Sequence, residues 1–135
     1  MRMLALAIGT AIAIAAATLT AAQAAGLSAS LQRVLKLLEP VDRLEQICDY
    51  TAMVQIREDG RHFHPDRAVA SAMKKPKIGP NTIDAKGGAF RSKGHWYAMS
   101  YSCVATPDHM QVTSFRLKIG REIPEGEWAK LGLWQ

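Results

Sequence analysis

"GHWYAMSYSC", residues 94–103, is the stretch that decides the fold, because it joins a run of aromatic residues to one of the chain's two cysteines. Its composition predicts a β-strand, on which successive side chains point to opposite faces of the sheet. The inner face then carries the odd-numbered residues Tyr97, Met99, Tyr101 and Cys103. The outward face carries the even-numbered ones, Trp96 among them.

The other cysteine, Cys48, lies in a segment with helical periodicity. Leu44, Ile47 and Cys48 fall on one face of that helix. A disulfide between Cys48 and Cys103 would join this face to the inner face of the strand. The chain has no C-x-x-C motif and no histidine at ligand spacing from either cysteine, which favours a structural bridge over a redox or metal-binding pair.

Residues 1–26, "MRMLALAIGTAIAIAAATLTAAQAAG", have the layout of a signal peptide. Arg2 gives a basic start, an apolar stretch follows, and Ala22-Gln23-Ala24 predicts cleavage after Ala24. The alternative is an uncleaved anchor, since Leu4–Ala22 is uncharged and close to the roughly 20 residues that span a bilayer. Its alanine-rich composition favours cleavage. Export would place both cysteines in an oxidising compartment, the periplasm or the exterior.

Residues 25–135 are predicted to form a single α+β domain. Pro40 ends a first helix, which Ser28 or Ser30 caps. Asp42 and Glu45 predict a capping box that begins a second helix, in which Asp49 caps a further turn. The apolar stripe of the first helix consists of Leu27, Leu31, Val34, Leu35 and Leu38.

The remaining pattern indicates antiparallel strands. A change of inward parity between Val112 and Phe115 predicts a β-bulge near Thr113-Ser114. Pro124 begins a short C-terminal helix. The expected strands are 68–73, 82–85, 89–91, 95–104 and 110–119, with a hairpin turn at 92–94. The predicted fold class is therefore α+β, with N-terminal helices packed on a small antiparallel β-sheet, a short C-terminal helix and one disulfide.

Several segments resemble an uncharacterised family of exported alphaproteobacterial proteins, domain of unknown function 930. The resemblance implies a secreted or periplasmic domain that is sometimes attached to longer membrane-linked chains. It assigns no activity and carries over no catalytic residue. The similar segments are "LEPVDRLEQICD" (38–49), "HPDRAVA" (64–70), "AFRSKGHWYAMSYSC" (89–103), "TPDHMQVTSF" (106–115) and "IPEGEWAKLGLW" (123–134).

Basic residues concentrate in a segment rich in proline and glycine, which suggests an anion-binding site. The partner would be an unknown envelope protein or an anionic envelope component, such as a lipid headgroup or a cell-wall polymer, and nucleic acid is excluded for an exported domain. The alternative is a solvated rim that keeps the domain soluble. The candidate residues are Lys74, Lys75, Lys77, Arg91, Lys93 and Trp96.

Other chemistries have weaker support. His62, His64 and Asp66 could begin a metal site, but a polar turn is the better interpretation, and we expect no metal or cofactor. Asp108-His109 could belong to a hydrolase, yet the chain lacks G-x-S-x-G and phosphate-binding glycine motifs. The leading hypothesis is an exported binding or envelope-interaction domain without catalytic residues. The alternative is a small periplasmic enzyme or enzyme inhibitor.

Overall fold

The computed structural model describes residues 27–135, so the predicted signal peptide lies outside the described residues. Within them the helices are α1 (Ala29–Leu37), α2 (Pro40–Glu58) and α3 (Glu125–Trp128), and a 3₁₀ turn at Ala129–Leu131 continues α3. The strands are β1 (Pro65–Val69), β2 (Lys77–Ile78), β3 (Thr82–Ser92), β4 (His95–Ala105) and β5 (Val112–Glu122). No helix of this part of the chain is long and apolar enough to cross a membrane.

All the strands belong to one antiparallel sheet in the order β1-β3-β4-β5, and β2 pairs with β3 along the edge that β4 leaves free. The β3–β4 hairpin turns at Lys93 and Gly94, whose φ angles are 52° and 79°. Two successive residues with positive φ match the right-handed twist of the flanking strands, and glycine adopts that conformation without strain. Helices ahead of an antiparallel sheet, with a short helix behind it, confirm the predicted α+β class.

The predicted bulge is confirmed in β5. Val104 faces Ser114 and Ala105 faces Val112, so Thr113 is the extra residue. Because the bulge reverses the alternation, Val112 and Phe115 both pack against the main core.

Some predicted strand limits are wrong. β1 ends at Val69 because the chain turns there, and the Met73 N–H donates to the Gly87 carbonyl at 2.7 Å. The expected strands 82–85 and 89–91 are one strand, β3, whose register shifts between Ala85 and Gly88.

The predicted start of the first helix is confirmed, but that of the second is wrong. Ser28 caps α1 as expected, with its hydroxyl accepting from the Leu31 N–H at 3.3 Å. α2 begins at Pro40, not at Asp42, because proline fits the first helical turn, where its missing N–H costs no hydrogen bond. The predicted capping box is therefore wrong, and α2 continues unbroken through Asp49. Val34, expected to face inward, is 55% exposed.

The main core lies between α2 and the inner face of the sheet. The Cys48–Cys103 disulfide crosses this interface and confirms the predicted bridge. Tyr101 stacks on Phe115 with ring centroids 5.1 Å apart. The buried residues of α2 are Leu44, Ile47, Cys48, Ala52 and Ile56, and those of the sheet include Ile83, Phe90, Met99, Tyr101 and Cys103.

A second, smaller core covers one end of the outer face. The side chain of Trp96 points to the opposite face of the sheet from that of Cys103, as predicted. It is fully buried, however, and does not face solvent. The reason is tertiary: the C-terminal segment folds over it, and the indole N–H donates to the Trp134 carbonyl at 2.7 Å. Its buried neighbours are Ala89, Ile123, Trp128 and Leu133.

The disulfide predicts a large stability effect. It joins residues separated by 55 positions. Because the crosslink restricts the unfolded chain, the Cys48→Ala/Cys103→Ala double variant should lose up to about 4 kcal/mol of unfolding free energy. Urea denaturation of the variant and of dithiothreitol-reduced wild type measures this loss. Equal midpoints for oxidised and reduced wild type would contradict the prediction.

Candidate functional site

The main candidate site is a cleft between α2 and the sheet edge formed by β1 and β2. It contains a cavity of about 340 Å³. We call it the Asp49 cleft, after the wall residue whose pKa departs most from its ordinary value. Its walls are Glu45, Asp49, Ala68, Val69, Ala70, Ser71, Lys75, Pro76 and Ile78.

Helix α2 supplies both carboxyl groups of the cleft. Glu45 and Asp49 are four residues apart and therefore lie on the same helix face, one turn from each other. Cys48, the neighbour of Asp49, is completely buried and bonded to β4. The disulfide thus holds Asp49 at the boundary between the core and the cleft.

The opposite wall is formed by small residues and a closely packed turn. Ala68 and Ala70 leave space that larger side chains would fill. The segment that follows lies against β3, since a Cβ on Gly87 would come within 2.6 Å of the Lys74 backbone nitrogen. Glycine at position 87 therefore permits the close approach that brings Lys75 to the cleft.

The carboxyl of Asp49 has one specific partner inside the protein. The Tyr101 hydroxyl donates a hydrogen bond to Asp49 Oδ1 at 2.8 Å. Burial raises the pKa of Asp49 from 3.8 to about 7, the Tyr101 hydrogen bond lowers it, and the charge of Glu45 raises it further. Burial also raises the pKa of Tyr101, and the charge of Asp49 adds to that effect. Tyr101 therefore remains a donor, while Asp49 exchanges its proton near neutral pH.

This arrangement can perform two kinds of chemistry. A cation beside Asp49 would stabilise the ionised carboxylate and so would bind with release of a proton. A carboxyl group with a pKa near 7 can also donate or accept a proton in a reaction. Carboxyls with a strongly shifted pKa in a cleft are characteristic of functional sites, although structural networks shift them as well.

The structure does not bring the residues of the predicted anion site together. Lys74 and Lys75 lie in the turn before β2, whereas Lys93 lies at the tip of the β3–β4 hairpin. Lys93 is six positions beyond Gly87, which lies beside Lys74, and this is a span of about 20 Å along a strand. Arg91 makes two hydrogen bonds to Asp66, at 2.9 and 2.8 Å, which neutralise its charge.

The remaining residues of the predicted anion site lie in other parts of the structure. Lys75 lines the Asp49 cleft and Lys77 belongs to β2. The indole of Trp96 offers no surface to a ligand, because the residue has no solvent exposure.

His95 and His109 make separate contacts in different parts of the structure. His95 Nδ1 lies 2.7 Å from Glu122 Oε1. His109 is buried, with its ring nitrogens 2.8 Å from the carbonyl oxygens of Pro40 and Pro80. Across residues 27–135, no three His, Cys, Asp or Glu side chains lie close enough to hold a metal ion.

Asp108 and His109 do not form a catalytic pair. Asp108 Oδ1 accepts from the Thr106 hydroxyl at 2.6 Å and from the Met110 N–H at 3.1 Å, the contacts of a local turn. The His109 ring faces backbone carbonyls, as described above, and joins the β4–β5 loop to the start of α2. Both residues therefore have a structural role in holding this loop.

The sequence interpretation missed the Asp49 cleft because it placed Asp49 at a helix cap. One signal was present: Glu45 and Asp49 repeat a negative charge at four-residue spacing, directly beside the core residue Cys48. A carboxyl adjacent to a core position is a candidate for partial burial. The strand partner, Tyr101, could not be identified without the three-dimensional register between α2 and β4.

The raised pKa of Asp49 predicts a pH-dependent stability. Between about pH 4 and pH 7 folded Asp49 keeps a proton that the unfolded chain has lost, so the free energy of unfolding falls as pH rises through this range. An asparagine side chain at this position stays neutral and still accepts from the Tyr101 hydroxyl. Relative to wild type, Asp49→Asn should therefore gain about 3 kcal/mol between pH 5 and pH 8.

Chemical denaturation at several pH values measures this difference. Glu58→Gln, which removes an exposed carboxylate from the same helix, is the control and should show no comparable trend. A constant difference between Asp49→Asn and wild type across pH 5–8 would contradict the assignment.

The comparisons with known proteins identify a family. The family model described as Domain of Unknown Function (DUF930) matches residues 35–133. This range includes both cysteines, the Asp49 cleft and every strand of the sheet. No curated protein and no solved structure matches the chain. The chain belongs to the domain of unknown function 930 family.

Proposed function

We propose that this chain is an exported, periplasmic binding domain and that the Asp49 cleft takes its ligand. One observation carries the proposal: a cavity of about 340 Å³ lies beside a carboxyl group whose pKa is raised to about 7. Clefts that combine space, an apolar lining and a few polar groups are the usual form of small-ligand sites.

Two features support export. The Cys48–Cys103 disulfide is typical of proteins that fold in an oxidising compartment. The first 24 residues have the charge and hydropathy layout of a signal peptide. Together they favour the periplasm or the exterior as the place where the cleft meets its ligand.

The cleft favours a small ligand that carries a protonated amine. Its cavity is near the lower end of the roughly 300–1,000 Å³ range of ligand pockets. Glu45 and Asp49 present two carboxyl groups, and the single basic residue among the wall residues is Lys75, which is exposed and can extend into solvent. Val69, Pro76 and Ile78 provide apolar contact for the remainder of the ligand.

Proton release should make this binding depend on pH. A ligand cation is attracted much more strongly by the ionised form of Asp49, which becomes the major form above about pH 7. Affinity should therefore rise between pH 5 and pH 8, by about tenfold or more if only the ionised form binds.

A direct test uses hexylammonium chloride as the probe and hexanol as its uncharged control. We expect amide shifts of residues 45–49 and 68–78 in a ¹⁵N-resolved NMR titration at pH 8, and at least about tenfold weaker binding at pH 5. Asp49→Asn should weaken binding at pH 8 and remove its pH dependence, whereas Glu58→Gln should bind as wild type does. Absence of shifts in these segments at pH 8, or equal binding of hexanol, would refute the proposed ligand class.

The second candidate function is a small periplasmic enzyme, favoured by the same carboxyl group. A pKa near 7 suits a general acid or base at neutral pH. If the protein converts a bound amine ligand chemically, and a folded Asp49→Asn variant does not, the function is catalysis and not binding alone. Recovery of the ligand unchanged after incubation at saturating concentration would support binding.

A further inference from the structure

The outer face of the sheet is divided into two halves of opposite character. One end is apolar and is covered by the chain itself, where Trp96 and Ala98 pack beneath the C-terminal segment. Further along β4 the outward residues become Ser100 and Ser102, and no described helix covers them. The exposed half is therefore the part of this face that the chain's own apolar packing does not use.

Basic residues surround these two serines. On β5, Lys118 lies opposite Ser100 and Arg116 lies opposite Ser102. On the other side of β4, strand β3 contributes Lys86. We call this set the basic face; it consists of Lys86, Ser100, Ser102, Arg116 and Lys118.

The geometry of the sheet allows the three cations to act together. Residues opposite each other on paired strands have Cβ atoms about 5 Å apart, and residues two positions apart on one strand share a face. β3 and β5 flank β4 at about 4.8 Å each, so the long side chains of Lys86 and Arg116 can meet above the serine hydroxyls. A shallow cavity of about 170 Å³ lies between these side chains.

The charges of the basic face are incompletely balanced. Lys86 pairs with Asp84 at 3.2 Å, and the Ser102 hydroxyl donates to the same carboxylate at 3.4 Å. Within residues 27–135, Arg116 and Lys118 form no salt bridge. Three cations against one carboxylate leave a net positive field over a concave surface that also offers the Ser100 hydroxyl as a donor.

We propose that the basic face binds a phosphate group. Arginine and lysine bind tetrahedral oxyanions through charge-assisted hydrogen bonds, and the Ser100 hydroxyl adds a neutral donor at the base of the cavity. The cavity of about 170 Å³ has room for one such group. Inorganic phosphate and a phospholipid headgroup share this chemistry, and the site lies on the opposite side of the sheet from the Asp49 cleft.

This proposal moves the predicted anion site to different residues. Lys86 belongs to the basic segment noted in the sequence, whereas Arg116 and Lys118 come from β5, about 30 positions further along the chain. Their even numbering places them opposite the inward Phe115, Leu117 and Ile119. Pairing of β4 with β5 brings them beside the serines.

The test compares two variants that each remove two positive charges. Arg116→Gln/Lys118→Gln alters the basic face, while Lys74→Gln/Lys77→Gln alters two exposed lysines of the sequence-predicted set. ¹⁵N-resolved NMR titration with inorganic phosphate forms one arm. The other is co-sedimentation with vesicles of phosphatidylcholine, with or without phosphatidylglycerol. Circular dichroism verifies that both variants fold, and Lys86→Gln provides an independent variant on another strand.

We expect saturable binding in at least one arm, weakened roughly tenfold by Arg116→Gln/Lys118→Gln and less than about twofold by Lys74→Gln/Lys77→Gln. Lys86→Gln should weaken it as well. The arm that saturates identifies the source of the phosphate group. The proposal is overturned if neither arm shows saturable binding, or if the two double variants lose affinity equally, which would indicate only a general effect of net charge.

Discussion

Two consecutive residues of α2 hold the helix to β4, and the rest of the structure depends on these two links. Cys48 is bonded to Cys103, and Asp49 accepts a hydrogen bond from Tyr101, two residues earlier on the same strand face. The covalent link fixes the position of the helix along the strand. The polar link then places a carboxyl group at the edge of the core, where its desolvation is only partly offset by one hydrogen bond.

The sheet separates an acidic cleft from a basic surface. On the α2 side, the Asp49 cleft presents carboxyl groups and an apolar lining. On the other side, the basic face presents three cations and the Ser100 hydroxyl, beside an apolar end that the C-terminal segment covers. One small domain of the 930 family can therefore offer two chemically distinct surfaces, because strand alternation sends neighbouring residues of β4 to opposite sides.

Local patterns in the sequence predicted the parts of the fold that depend on local chemistry. Alternation along residues 94–103 gave the inner face and the disulfide, and the parity change near Thr113 gave the bulge. The errors arose where tertiary contacts or competing local signals decided the outcome. The sequence around Asp42 has a capping pattern, but α2 begins two residues earlier, at Pro40. Trp96 lies on the predicted face of the sheet, but the C-terminal segment buries it. The Asp49 cleft needed the register of α2 against β1 and β4, which no local pattern contains.

Docking of α2 on β4 gives the Asp49 carboxyl a pKa far above its ordinary value. A ¹³C NMR titration of the Asp49 side-chain carboxyl in the oxidised wild-type protein tests it most directly. We expect a midpoint at about pH 7, compared with the ordinary value of 3.8. A midpoint near 4 would show a solvated carboxylate and would contradict both the geometry of the cleft and the pH dependence derived from it.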